Sequence, residues 1–160
     1  MIQAFKIEIK WSIIYSIAYL LWMYFESRMG WHDTKVGLEP LYNLLFLPIS
    51  IILIGLAIFD KKRNYYKNEM DWKKGFVSGI ILAVLITVLN PVVLYISYNY
   101  ISPSFFDNAI SAAVAEGLPL EKAKAQFNLN TAISNSVFDK LSFGVVISAA
   151  VSYFIRTKNT

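Results

Sequence analysis

The residues able to do chemistry are few and scattered. His32 is the single histidine and cysteine is absent, which excludes a thiolate nucleophile, a disulfide framework and the paired Cys/His spacings of structural zinc sites. His32 sits in the polar stretch "SRMGWHDTKVG" with no second histidine, so the expectation is that it ligates no metal. No glycine-rich phosphate loop and no nucleophile elbow is present. An intramembrane hydrolase would need paired carboxylates or a Ser/Lys or Ser/His pair, and none can be placed in an apolar run. The chain is therefore expected to be no enzyme, with no catalytic, cofactor-binding or metal-ligating residues and no cofactor.

Three other positions invite a functional claim. Asp139 and Lys140 fall in an apolar run, where charge usually marks an ion or proton route. Ser136 and Asp139 have capping-box spacing, however, so Asp139 is expected to satisfy the first amides of the last span while Lys140 snorkels to the interface. Glu26, near Arg28, is expected to close the first apolar run at the interface as well. With those assignments no charge remains in the middle of a span, which weighs against a proton- or sodium-driven pump. Asn90 and Pro91 are the third position: a proline inside a helix frees a carbonyl and could line a polar path, although a simple bend is the expectation both there and at Pro48.

The elements that would carry these residues are long and apolar. Of 160 residues, 56% are hydrophobic and only 16% charged, against about 25% charged in a soluble domain, and the mean hydropathy is +0.48. Four runs approach the roughly 20 apolar residues needed to cross a bilayer: 8–26, 41–59, 76–101 and 137–155. Polar and small residues recur on one side of each. Ser12, Tyr15, Ser16, Tyr19, Trp22 and Glu26 oppose Ile13, Ile14, Ile17, Leu20, Leu21 and Tyr24 in the first. Asn43, Ser50 and Ala57 mark the second, Gly75, Gly79, Ala83, Thr87 and Asn90 the third, and Gly144, Ser148 and Ser152 the fourth. Small residues at every fourth position let helices approach closely in lipid, so these are expected to be inward faces.

Between the third and fourth runs, 104–133 reads as two short amphipathic helices forming an extracytoplasmic cap. Ser104 with Asp107 suggests the first helix start, Gly117 its end, and Pro119 with Glu121 the start of the second. Phe106, Ala109, Ile110 and Ala113, then Leu120, Ala123 and Phe127, form their apolar sides. The fold class expected is all-α: an integral membrane four-helix bundle with these two helices inserted, making 1–160 a single membrane domain.

Charge orients it. Lys6, Lys10, Lys61, Lys62, Arg63, Lys67, Lys73, Lys74, Arg156 and Lys158 lie on one side of such a bundle, against Arg28, Lys35, Lys122, Lys124 and Lys140 on the other. The positive-inside rule then puts both termini and the loop between the second and third runs in the cytoplasm. That loop, "DKKRNYYKNEMDWKKG", flanks two hydrophobic ends with Tyr65, Tyr66 and Trp72 beside its lysines, a pattern for anionic lipid headgroups and not for nucleic acid. The bulky "LLWMYFESRMGW" lacks a small-x-small cleavage site, so the first run is expected to remain as an anchor.

Four hydrophobic runs, a basic loop leading into "WKKGFVSG", then "YISPSFF" and "GLPLEKAKAQF" before the last run together resemble the family known as domain of unknown function 4199, small integral membrane proteins of Bacteroidetes. The resemblance covers nearly the whole chain, most clearly from Asp60 onward. It implies a four-span protein of the bacterial inner membrane and supplies no activity and no site residue. The expected role is a structural or accessory subunit packed against other membrane protein subunits or further copies of itself; the alternative is a small-solute transporter or channel with a polar path near the third span.

Overall fold

The structure is a computed structural model that describes residues 5–157. Lys158, one of the charges assigned to the cytoplasmic side, lies outside the described residues. Among the described residues there are seven α-helices and no strand. Helix α1 spans Lys6–Arg28, α2 Glu39–Asn43, α3 Leu47–Asn64, α4 Trp72–Ile96, α5 Phe105–Ala115, α6 Leu120–Gln126 and α7 Leu129–Ile155. Short 3₁₀ turns at Val36–Leu38 and Leu44–Phe46 join α2 and α3 into one helical run, and a π turn at Ser97–Ile101 extends α4. Three runs are long and apolar enough to cross a membrane: Val36–Asn64, Trp72–Ile101 and Leu129–Ile155. α1 has 23 residues but carries Glu8, Lys10, Glu26 and Arg28, and does not reach the same apolarity.

Several boundaries differ from expectation for local reasons. α7 begins at Leu129, well before Val137, because Asn128 is its cap: the Asn128 side chain accepts the Thr131 amide at 3.0 Å. Asp139 is therefore mid-helix and caps nothing, and the Ser136 hydroxyl donates to the Ile133 carbonyl at 2.7 Å. Ser104 occupies the position before α5, but its side chain makes no capping bond. Pro48 lies in the first turn of α3, where no amide partner is needed, so it starts that helix and does not bend it. Pro91 sits inside an uninterrupted α4. The end of α5 matches its signal: Gly117 adopts φ +98°, and the Leu118 and Gly117 amides return to the Ala113 and Val114 carbonyls, a Schellman cap that only a residue at ease with positive φ closes cheaply.

The inward faces pack as the small residues anticipate. Ser12, Tyr15, Tyr19 and Glu26 of α1 are buried, while Ile13, Ile14, Ile17, Leu21 and Tyr24 are exposed. α4 and α7 meet along three small pairs. A Cβ on Gly79 would collide with the Ser148 side chain, one on Gly144 would come within 2.5 Å of the Ala83 Cβ, and one on Gly75 would meet Ser152 Oγ at 3.0 Å. Asn90 Nδ2, across the same contact, donates to Ser136 Oγ at 2.9 Å.

One end of the assembly is tied by charge. Lys61 Nζ lies 2.9 Å from Glu8 Oε1, and Ser78 Oγ donates to the same oxygen at 2.7 Å, joining α1, α3 and α4. Both charged residues are buried, so Lys61 is not a solvated member of the basic loop. The chain end beyond α7 is pinned to that loop, with the Thr157 amide donating to the Met70 carbonyl at 2.8 Å and Lys62 Nζ to the Ile155 carbonyl at 2.7 Å.

Candidate functional site

At the opposite end, the turn after α1 builds a buried polar cluster. Gly30 takes φ +74°, and the Trp31 and Gly30 amides bond back to the Glu26 and Ser27 carbonyls at 3.1 Å each. This second Schellman cap folds the next residues back onto the last turn of α1, so that His32 Nε2 faces Glu26 Oε2 at 3.4 Å. Glu26 is 0% and His32 1% exposed. The expectation of an interfacial Glu26 is corrected: it is the most enclosed acid in the chain, and Arg28 turns away to donate to Tyr24 Oη at 3.0 Å. Glu39, from the first turn of α2, brings a third ligating group, and one ligand atom from each of the three lies within 4.8 Å of the others.

Each of these groups is held by a second partner. Ser102 Oγ bonds His32 Nδ1 at 2.7 Å, Trp22 Nε1 donates to Glu26 Oε1 at 2.8 Å, and Asn43 Nδ2 donates to Glu39 Oε1 at 3.3 Å. α5 braces the turn from outside: Asn108 Nδ2 donates to the His32 carbonyl at 3.1 Å and to Asp33 Oδ1 at 2.9 Å, and Phe105 packs its ring edge-on against the imidazole.

Glu39 also lines a partly open cavity of about 490 Å³ bordered by α1, the α2–α3 run, α4 and α7. Its wall is mixed. Tyr15, Tyr19, Asn43, Ser50, Ser136, Asp139 and Lys140 supply polar groups, and Phe46, Ile86 and Leu94 the apolar remainder. Tyr15 Oη and Ser50 Oγ bond each other at 2.8 Å. Lys140 does not snorkel outward: its ammonium lies 3.6 Å from the centroid of the Tyr19 ring, with Tyr15 and Phe46 beyond, a cation–π setting. Among the described residues Lys140 forms no ion pair. The longer start of α7 places Lys140 well inside the helix, facing the cavity.

The sequence thus anticipated the polar face of α1 and the residues Asn43 and Ser50, but not the cluster they lead to. Glu26, His32, Glu39 and Ser102 come from four separate segments, and only Gly30, a glycine just past a helix end, signals that two of them meet. Asn90, singled out as a possible path residue, does not line the cavity; its amide is taken by Ser136.

The profile of the family described as "Protein of unknown function (DUF4199)" matches residues 10–157, and the chain belongs to that family. No curated protein and no solved structure is detectably similar to it.

Proposed function

From membership in a family without an assigned activity, we propose that this chain is a four-span protein of the bacterial inner membrane, with both termini and the basic loop in the cytoplasm, whose chamber receives a small polar solute. It has no catalytic chemistry of its own. The fourth crossing is α1. Its 23 residues extend about 35 Å at 1.5 Å per residue, its outward face is apolar, and its two acids turn into the protein instead of toward lipid. Intramembrane charge is retained where it faces a cavity or a partner, and Glu8, Glu26 and Lys140 all meet that condition. The exposed lysines of the loop face anionic headgroups.

The observation that carries the solute reading is Lys140, a cation held by aromatic rings at the wall of a 490 Å³ cavity and, among the described residues, in no ion pair. Ser50→Cys, which lines the same cavity, tests it in a chain that has no other cysteine. A small anionic thiosulfonate should modify this cysteine in the folded protein, and Lys140→Gln should slow that reaction while speeding that of the cationic analogue. Failure of both reagents to reach the cysteine would overturn the chamber reading.

An accessory role has one observation in its favour. Only 22% of the apolar stretch of α7 is buried within the chain, the least of the three runs, leaving Phe138, Val146 and Phe154 for lipid or a second membrane subunit. Purification in mild detergent that yields this polypeptide alone, without a stoichiometric companion, would count against it.

A further inference from the structure

We propose that Glu26, His32 and Glu39 form a binding site for one divalent transition-metal ion, with its open coordination position toward the chamber. This inference does not rest on the solute reading, since the three residues are supplied by the α1 turn and α2 whatever the chamber holds.

Geometry is the first support. At 3.4 Å, the His32 Nε2–Glu26 Oε2 contact is longer than the about 2.7–2.9 Å of a well-formed charge-assisted hydrogen bond. Two ligands each about 2.1 Å from a tetrahedral ion are separated by about 3.4 Å. Glu39 offers an oxygen within 4.8 Å of a ligand atom from each of the other two residues, and binding would require its side chain to close the remaining gap. One imidazole nitrogen and two carboxylate oxygens leave a fourth position for water or solute, an arrangement of open metal sites, and Glu39 is the ligand that borders the cavity.

The second support is independent of the first: every ligand carries an orienting partner. Metal-bound histidine ordinarily engages its other ring nitrogen with a neighbouring group, and ligating carboxylates are themselves hydrogen-bonded. Here Ser102 takes His32 Nδ1, Trp22 holds Glu26 and Asn43 holds Glu39. Ser102 and Trp22 leave Nε2 and Oε2 aimed at the common centre.

Charge is the third. Two carboxylates brought together repel each other, and a buried charge such as that of Glu26 is tolerated only when compensated. Among the described residues no lysine or arginine forms an ion pair with Glu26 or Glu39. A divalent ion with a neutral imidazole makes the cluster electrically neutral, whereas a single proton on His32 leaves it negative. Mixed imidazole and carboxylate donors suit Zn²⁺ and its first-row neighbours better than Ca²⁺ or Mg²⁺, which prefer all-oxygen shells.

The test uses Zn²⁺ alone on the full chain, purified in mild detergent and stripped with a chelator. Titration followed by removal of free ion should leave about one equivalent bound, as a single tetrahedral centre needs, and should raise the unfolding temperature. Ser102→Ala, which keeps all three ligands, should lower affinity about 10–100-fold, and Glu39→Gln should abolish the bound equivalent without disturbing the turn after α1. His32→Gln should do the same; should that buried variant not fold, Glu39→Gln and Ser102→Ala decide the matter. Co²⁺ substitution should give the visible absorption of a tetrahedral N/O site. A wild-type chain that retains no Zn²⁺ or Co²⁺, or a folded Glu39→Gln chain that retains a full equivalent, would overturn the proposal.

Discussion

Glu8 shows what burial does to a residue that composition places among surface charges. Its carboxylate accepts from Lys61 and Ser78 inside the protein, and removing one member of a buried ion pair costs about 3–5 kcal/mol because the other charge stays desolvated. Glu8→Leu should therefore lower stability by that amount in detergent-denaturation curves. Glu8→Leu combined with Lys61→Met should recover at least about 2 kcal/mol of it, since apolar replacement of a whole buried pair is often neutral. A double variant no more stable than the single one would mean the pair itself contributes net stability. Neither this pair nor the Glu26–His32 contact was legible in sequence. Glu8 and Lys61 are far apart along the chain, and Glu26 sits beside an arginine that looks like its partner but bonds Tyr24 instead. Polar residues spaced along one helix face announce themselves; polar residues gathered from separate turns do not.

Among the elements, the α4–α7 contact was the most readable, because a small residue at every fourth position has one main use between lipid-immersed helices. The start of α7 was the least readable. The apolar run begins near Val137, yet the helix is nucleated further back, where Asn128 caps a polar turn that hydropathy alone cannot see. The close contact makes a contrast between two glycines. Gly79→Ala places a methyl group on the Ser148 side chain, whereas Gly55→Ala meets only Val151 Cγ1 at an ordinary 3.8 Å. Overpacking a closed contact costs about 1–3 kcal/mol, while alanine in an unobstructed helix interior gains up to about 1 kcal/mol over glycine. Thermal unfolding should then show Gly79→Ala below the wild type and Gly55→Ala at or above it. Equal midpoints for the two variants would mean that α4 and α7 are free to separate.

For the whole molecule, α1 decides the architecture. Three runs have the length and apolarity to cross a membrane unaided; the proposed fourth crossing, by α1, relies on its acids being buried against Lys61, Ser78, Trp22 and His32, a compensation that mean hydropathy does not register. The proposed topology would put the Glu8–Lys61 tie and the basic loop at the cytoplasmic end, and the Glu26–His32–Glu39 cluster with α5 and α6 at the outer end. Single cysteines at Lys6 and Thr34, both exposed, test this in a chain with no other thiol. With an impermeant maleimide, Thr34→Cys should be labelled on spheroplasts and Lys6→Cys only on inverted inner-membrane vesicles. Labelling of both from the same face would contradict the fourth crossing and remove α1 as a membrane-spanning wall of the chamber.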